Sequence, residues 1–205
     1  MKLKSELTTD RMMIRNATPS DINLIIEIEQ HPDNRDFIWV GTYEEHLSEI
    51  NDDQHLLLVF NRIKDNMPIG YSLSRIDFKS EVYELRRFVI TEKGKGYGRE
   101  AMNAHLKHAF EDLKVNRFWL DVYPDNAAGI GLYESLKMHR DGVLRQNYKA
   151  KRGYLDQIIY SMLKSEYSHL QQTRKLSNSH LKHPSKSQSP APEGRALKNL
   201  NSTLF

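Results

Sequence analysis

The sequence KGKGYGRE (Lys93–Glu100) follows the apolar run FVI (Phe88–Ile90) and places glycine at three alternate positions among three basic residues. Glycine costs backbone entropy, so this density indicates a segment whose main chain something must approach closely. Glycines between a strand and a helix leave N–H groups unpaired at the positive end of the helix dipole, which binds phosphate and other anions. The stretch therefore predicts an anion-binding loop rather than a plain turn with solvated lysines.

Three kinds of phosphate-binding loop are candidates for this stretch. A Walker A loop is excluded, because no glycine is followed by Lys and then Ser or Thr. The dinucleotide fingerprint G-x-G-x-x-G/A matches Gly96, Gly98 and Ala101, and Asp121 lies at about the distance of a ribose contact. Its position argues against it, because a dinucleotide fold opens with this unit and then needs several more parallel strands. The third kind of loop has the pattern Arg or Gln, two residues, Gly, one residue, then Gly or Ala. It matches Lys93, Gly96 and Gly98, with Lys at the first position.

A second motif lies in FWLDVYPDNAAGIGLYESLKM (Phe118–Met138). A strand ends in an acidic residue, Asn126 follows after a short turn, and a helix carries Leu-Tyr-Glu-Ser-Leu (Leu132–Leu136). In this order and separation the two motifs resemble the GNAT N-acetyltransferases, and most closely the bacterial ribosomal-protein alanine acetyltransferases and their relatives. The resemblance covers roughly Met12–Tyr167. It implies the GNAT fold and acetyl-CoA as co-substrate, with no metal.

The resemblance also implies which residues hold the cofactor. The backbone amides of residues 95–99 would cradle the pyrophosphate, and Phe88–Ile90 would pair with the pantetheine arm like an added strand. Asn126 would bind the arm or fix its own loop. Arg86 and Arg87 would either steer CoA phosphates or be solvated or paired. The implied cofactor-binding residues are Phe88, Val89, Ile90, Lys93, Lys95, Gly96, Tyr97, Gly98, Arg99, Asn126 and Tyr133.

Three residues are the candidate catalytic groups. The resemblance implies that Tyr133 protonates the departing thiolate and that Asp121 occupies the position where close relatives have a glutamate general base. Glu84, acting through a water, is the alternative base. These roles suit the chemistry, because acetyl transfer to an amine needs a base to deprotonate the ammonium and a donor for the oxyanion. The chain has no cysteine, which agrees with direct transfer without a covalent enzyme intermediate.

The sequence departs from the family pattern after the second motif. Lys137 stands where the family has a glycine, and Met138 where it has a phenylalanine. That glycine normally ends the helix in the left-handed region, where a side chain costs about 1 kcal/mol or somewhat more. The turn beside Tyr133 is therefore expected to be strained or differently shaped.

Residue patterns along the chain predict the order strand, two helices, three strands, helix, strand, helix, strand, which is an α/β domain. Its GNAT form has a mixed, mostly antiparallel central sheet flanked by helices. Ser20 or Asp21 is expected to cap the first helix and Thr42 the second. Strict alternation in the strand VYELRRFVI predicts one face of Leu85, Arg87 and Val89 and another of Glu84, Arg86, Phe88 and Ile90.

Two histidines, His105 and His108, lie one turn apart on the helix after the glycines. With no other ligand cluster in the sequence, they are expected to face solvent rather than to bind a metal.

Composition limits the class of protein. The 205 residues are 39% hydrophobic and 28% charged, which suits one globular domain with a real core. No stretch approaches the roughly 18 apolar residues of a membrane helix. The first residues lack the apolar centre of a secretory signal. A cytoplasmic location is therefore expected, and the absence of cysteine fits a reducing compartment.

The net charge of +3 is unevenly distributed. From Gln171 onward there are six basic residues against one acidic, whereas the remainder has 24 basic against 26 acidic. The body therefore lacks a nucleic-acid-binding charge pattern. Residues 1–169 are predicted to form the GNAT domain, and residues 170–205 a polar, basic tail without order.

The sequence thus predicts an N-acetyltransferase that acts on a primary amine by direct transfer in a ternary complex. The acceptor is a protein N-terminus or a small molecule, with no nucleic acid or membrane as partner, and the chain is a monomer or homodimer. Specificity is expected in the first two helices and in a loop around Arg145–Tyr154. Two alternatives stay open: a non-catalytic acyl-CoA sensor and, less favoured, a dinucleotide-dependent oxidoreductase.

Overall fold

The structure, a computed structural model, describes residues 6–150 and 152–182. Its central feature is one eight-stranded sheet in the order β1-β2-β3-β4-β5-β6-β8-β7, where only the β5–β6 pair is parallel. This confirms the predicted mixed, mostly antiparallel sheet. The strands are β1 (Glu6–Thr8), β2 (Met12–Asn16), β3 (His55–Arg62), β4 (Pro68–Asp77), β5 (Val82–Ile90), β6 (Arg117–Val122), β7 (His139–Ala150) and β8 (Gly153–Leu163).

Helices cover both faces of the sheet. Thr42 caps the second helix as expected: its hydroxyl accepts from the N–H of Glu45, whose carboxylate accepts from the N–H of Thr42. Asp21 directly precedes the first helix, but its carboxylate accepts from the N–H of Thr18 and from Arg15 instead of capping. The helices are α1 (Ile22–Gln30), α2 (Tyr43–Asn51), α3 (Tyr97–Lys107, continued by a π-helical turn over His108–Asp112), α4 (Ala127–Ser135) and α5 (Lys164–Lys182). None of the described helices combines the length and apolar character needed to cross a membrane.

Two hydrophobic cores lie on opposite faces of the sheet. One is built around α1 and α2 and includes Ile25 and Val89. The other is built around α3 and α4 and includes Leu85, Met102 and Tyr133. Leu85 and Val89 therefore face opposite sides, although strict alternation predicted one side for both.

A β-bulge in β5 causes this reversal. Leu73 pairs with Arg87 and Ser74 with Leu85, so Arg86 is an extra residue between two registered pairs. A bulge shifts the alternation by one residue and bends its strand, and bulges are common beside active sites. The sequence VYELRRFVI contains no glycine or proline to signal it.

His105 and His108 are both buried, so the expectation that they face solvent was wrong. His105 lies three residues after Met102 and four after Ala101, which puts it on the apolar face of α3. Its Nδ1 is 3.0 Å from the hydroxyl of Tyr83, and burial lowers its pKa to about 3, so the ring is neutral.

Two other expectations are corrected by the end of the chain. The predicted loop around Arg145–Tyr154 is an antiparallel hairpin of β7 and β8.

Helix α5 continues to Lys182, so residues 170–182 are helical where a tail without order was predicted. Residues 183–205 lie outside the described part. Tyr167, stacked on Phe110 at 4.9 Å, holds the start of α5, and adding residues to a formed helix costs far less than nucleating one. The boundary between residues 169 and 170 stays a prediction.

Candidate active site

Strands β5 and β6 separate after a short shared stretch, and this separation creates the site. They pair only over Val82–Leu85 and Arg117–Leu120. Beyond that, β5 follows β4 to Ile90, whereas β6 follows β8 to Val122. The backbone edge of β5 after the bulge is left without a neighbouring strand. Such an edge can pair with an extended ligand.

A groove of about 660 Å³ runs along this free edge to the glycine loop. It is bounded by β5, the glycine loop and the start of α4. Lys95 is the one predicted cofactor residue that does not line it; its ammonium contacts Glu92 at 2.9 Å. The predicted residues that line the groove are Phe88, Val89, Ile90, Lys93, Gly96, Tyr97, Gly98, Arg99, Asn126 and Tyr133.

The loop geometry fits a pyrophosphate. Gly96 immediately precedes α3 and has φ +82°, a conformation that favours glycine. The amides of Tyr97, Gly98 and Arg99 form the first turn of α3, where N–H groups have no partner within the helix. A Cβ on Gly98 would lie 3.5 Å from Leu132, which is ordinary van der Waals contact, so Gly98 lies against α4 without a steric need for glycine. These residues would hold the phosphates of CoA, and the free edge of β5 its amide-containing arm.

A second cavity, of about 530 Å³, adjoins the groove and is called here the acceptor cavity. Its walls come from α2, β5, β6 and the β7–β8 hairpin. All three predicted catalytic residues, Glu84, Asp121 and Tyr133, line it. The residues that line both the acceptor cavity and the groove are Phe37, Ile38, Phe88, Asn126 and Tyr133.

Asp121 has a raised pKa. Burial raises the pKa of its carboxyl group, a hydrogen bond of 2.5 Å from Gln157 partly opposes that rise, and the nearby charge of Glu84 adds to it. A carboxylate with a raised pKa is a stronger base than an exposed aspartate. Gln157 lies on β8, paired across from Leu144 of β7, so the final strand of the sheet positions the acid.

Tyr133 lines both cavities. The residue is buried, and burial is the main reason that the pKa of the phenol lies well above its ordinary value. The negative charge of Asp121 raises this pKa further. The phenol therefore stays protonated at neutral pH. Its ring packs 5.8 Å from that of Tyr160, which donates to Glu134 and lines neither cavity.

Both ends of α4 hold Tyr133 in place. At the N-terminus the side-chain oxygen of Asn126 accepts from the N–H of Gly129 at 2.9 Å. At the C-terminus the N–H of Lys137 donates to Glu134 and that of Met138 to Tyr133, which is a Schellman motif. Lys137 has φ +65°, so the motif normally closed by glycine is kept here at a backbone cost. The strained form of the turn is thus the one observed, and a further cofactor contact by Asn126 stays a prediction.

Sequence reasoning missed an ionic network below the acceptor cavity. Glu29 is fully buried and accepts from the hydroxyl of Tyr71 at 2.5 Å and from the N–H of Gly41 at 2.7 Å. His46 lies between two carboxylates, with Nε2 3.2 Å from Glu29 and Nδ1 2.9 Å from Glu49. Glu29 follows Ile25 by four residues and so lies on the apolar face of α1. This spacing is the signal in the sequence that could have indicated its burial.

The two arginines of β5 belong to the acceptor side. Arg86 and Arg87 line the acceptor cavity and not the groove. Arg87 contacts Glu49 at 3.3 Å and lies 3.7 Å from Glu29, so it has the paired role that was one of the two alternatives.

Over the described residues, no group of His, Asp or Glu side chains is arranged to hold a metal ion.

Known proteins are similar to this chain over the region that carries the site. The model of the acetyltransferase (GNAT) domain matches residues 11–139. The acetyltransferase PseH of Campylobacter jejuni is 33% identical over 123 residues, which are 56% of this chain and 74% of that protein. The [ribosomal protein bS18]-alanine N-acetyltransferase of Salmonella typhimurium is 37% identical over 68 residues, 33% of this chain and 45% of that enzyme.

A solved structure shares the fold. Spermidine N-acetyltransferase from Vibrio cholerae, in complex with CoA and spermine, superposes with a TM-score of 0.69 at 20% identity, covering 76% of this chain and 97% of that one. The sheet order is likewise incompatible with the doubly wound parallel sheet that a dinucleotide-binding oxidoreductase requires, so that alternative is set aside. The chain belongs to the GNAT family of acetyltransferases.

Proposed function

We propose that this protein transfers an acetyl group from acetyl-CoA directly to a primary amine, with both substrates bound together. One observation carries the proposal: Tyr133 stands where the groove and the acceptor cavity meet. On one side of it is a loop suited to phosphates, and on the other a carboxylate, Asp121, with a raised pKa. Two substrates that approach from opposite sides can therefore react beside Tyr133.

Each residue has a chemical task in this reaction. Asp121 removes a proton from the acceptor ammonium, either directly or through water, and Glu84 in the same cavity is the alternative base. The free amine then forms the new C–N bond as the C–S bond of the thioester breaks. Tyr133 donates its proton to the leaving sulfur, whose ordinary thiol pKa is about 8.5. A backbone N–H at the open part of β5 supports the oxyanion.

The lining of the acceptor cavity favours a positively charged acceptor. Four carboxylates line it, from Glu45 and Glu49 one turn apart on α2 and from Glu84 and Asp121 on the strands, against two arginines of β5, so acidic groups outnumber basic ones. They attract an ammonium group, which must be brought in before it is deprotonated. Similar proteins are named for acceptors of both expected kinds, a ribosomal protein alanine and spermidine. We infer that the acceptor is one of these two kinds, a peptide N-terminus or a small polyamine.

The first experiment is a thermal melt with acetyl-CoA, CoA, NAD or buffer alone. A ligand at about 100 times its Kd stabilises by roughly 2.7 kcal/mol, which gives a visible shift. We expect a shift with both CoA ligands and none with NAD. Thiol release is then measured with acetyl-CoA and two acceptors, spermidine and a peptide with an N-terminal alanine.

The mechanism is tested with a matched pair of variants. Tyr133→Phe removes the proposed acid, and we expect kcat to fall by about 10²-fold. Tyr160→Phe makes the same change 5.8 Å away, outside both cavities, and is expected to keep kcat. CoA binding without thiol release for any primary amine would favour the sensor. Equal kcat in the Tyr133→Phe variant and the wild type would remove the acid role.

A further inference from the structure

We propose that Arg11 is a positioning residue for the phosphate-binding loop, an assignment that rests on the proposed function of the groove. Arg11 lies in the turn between β1 and β2, far in sequence from the two motifs. Its side chain reaches three consecutive parts of the binding loop: Lys95 before Gly96, Tyr97 at the start of α3, and Glu100 in the first turn.

The contacts use every nitrogen of the guanidinium. Nη1 donates to the carbonyl oxygen of Lys95 at 2.9 Å, Nε donates to Glu100 at 2.7 Å, and Nη2 lies 2.6 Å from the same carboxylate. The backbone N–H of Arg11 also donates to Glu100, at 2.8 Å. The face of the guanidinium stacks 4.4 Å from the centre of the Tyr97 ring. A planar fork of this kind fixes orientation as well as distance.

The contact with Lys95 determines where the next amide points. The C=O of Lys95 and the N–H of Gly96 belong to one planar trans peptide unit and point in opposite directions. Because Arg11 holds the carbonyl on its own side, the N–H of Gly96 is directed away from Arg11. Gly96 lines the groove and Arg11 does not. Arg11 thereby presents a donor to a phosphate oxygen without touching the ligand.

The contact with Glu100 removes an unfavourable charge. Glu100 is in the first turn of α3, where its carboxylate would compete with a phosphate for the same positive helix end. Burial alone would raise its pKa, but hydrogen bonds from Thr9 and Arg11 hold the pKa below the ordinary value, so the group is ionised. Arg11 both neutralises this charge and keeps the carboxylate on the far side of the loop.

A role limited to general stability predicts something different. The Arg11 side chain is 45% exposed, and exposed ion pairs contribute little to folding. Arg117, which contacts Asp141 at 2.5 Å with 33% exposure, is a partly exposed arginine–aspartate pair away from the groove. Arg11→Ala and Arg117→Ala should therefore change the melting temperature by similar small amounts, and only Arg11→Ala should affect the loop.

The test compares CoA with pantetheine, which lacks the pyrophosphate, by calorimetric binding to the wild type, Arg11→Ala, Arg11→Lys and Arg117→Ala. We expect Arg11→Ala to weaken CoA binding about tenfold, which is about 1.4 kcal/mol or one charge-assisted hydrogen bond. Pantetheine binding should be unchanged, Arg117→Ala should match the wild type, and Arg11→Lys should fall between. In ¹⁵N-labelled protein, CoA should shift the Gly96 amide resonance in the wild type and less in Arg11→Ala.

Several outcomes would overturn the assignment. They are an unchanged Kd for CoA in Arg11→Ala, an equal loss for CoA and pantetheine, an equal loss in Arg117→Ala, and no CoA binding by the wild type. Since the readout is binding, it is independent of turnover. CoA binding that depends on Arg11 without acetyl transfer would refute the proposed function and leave Arg11 as assigned.

Discussion

Replacing His46 by glutamine tests the ionic network beneath the acceptor cavity. His46 is fully buried, and each ring nitrogen faces a carboxylate, Glu29 at 3.2 Å and Glu49 at 2.9 Å. Two acceptors require two N–H donors, so the ring is an imidazolium. Burial alone would lower the pKa of His46, but the hydrogen bonds to Glu29 and Glu49 outweigh it and raise the pKa from 6.5 to about 9.

The sign of the pH effect follows from that shift. The folded protein holds the proton more tightly than the unfolded chain, so the stabilisation is complete below pH 6.5 and is lost as the pH rises towards 9. At 1.36 kcal/mol per pKa unit, the loss is on the order of 3 kcal/mol. At pH 6, His46→Gln should itself destabilise by about 3–5 kcal/mol, because it leaves a buried carboxylate, Glu29, without its main partner.

The assay is urea unfolding followed by circular dichroism at pH 6, 7.5 and 9. In the wild type the free energy of unfolding should fall between pH 6 and 9, and the difference between wild type and His46→Gln should shrink over the same interval. Subtracting the variant removes the contribution of titrating groups outside the network. A constant difference from pH 6 to 9 would show that His46 has the same pKa in the folded and unfolded states, and would refute the charged network.

Three further changes address the turn after α4, a close backbone contact and the base. Lys137→Gly should stabilise the protein by about 1 kcal/mol in urea unfolding, because φ is +65° there; destabilisation would contradict a strained turn. Gly70→Ala should destabilise the protein by about 1–3 kcal/mol, since the new Cβ would lie 2.2 Å from the carbonyl oxygen of Val89. The control is Gly131→Ala in α4, where the new Cβ would have no neighbouring atom within 4 Å and should not destabilise the protein. Asp121→Asn should lower kcat about 10²-fold and abolish the acidic limb of the pH–rate profile. In the wild type the midpoint of that limb should lie above the ordinary aspartate pKa. An unchanged profile in the variant would move the base role to Glu84.

Local sequence patterns were sufficient for the parts of the molecule whose physics is local. The glycine at position 96 reflects a positive-φ backbone conformation that a side chain would strain. The capping box of α2 at Thr42 is likewise a short-range hydrogen-bond pattern. Resemblance to a family then placed Asp121 and Tyr133 in one cavity, although they come from different elements.

Long-range contacts were beyond the sequence. The burial of Glu29 and His46 was not predicted, because charged groups are almost never fully buried unless paired, and their pairing depends on how α1 packs on α2. Arg11 and Glu100 are 89 residues apart, and no spacing rule links them. The end of β7 was taken for a loop because this strand is largely exposed and carries no clear apolar alternation, whereas most of β8 was predicted as a strand.

The bulge at Arg86 explains how one strand can serve two cavities. Before it, Leu85 packs in the core of α3 and α4; after it, Val89 packs in the core of α1 and α2. The extra residue falls where the pairing with β6 ends, so the same distortion that reverses the faces also turns β5 away from β6. Phe88 then reaches both the groove and the acceptor cavity. A deletion of Arg86 would restore regular alternation and should abolish CoA binding even if the protein still folds, which a thermal melt with and without CoA would show.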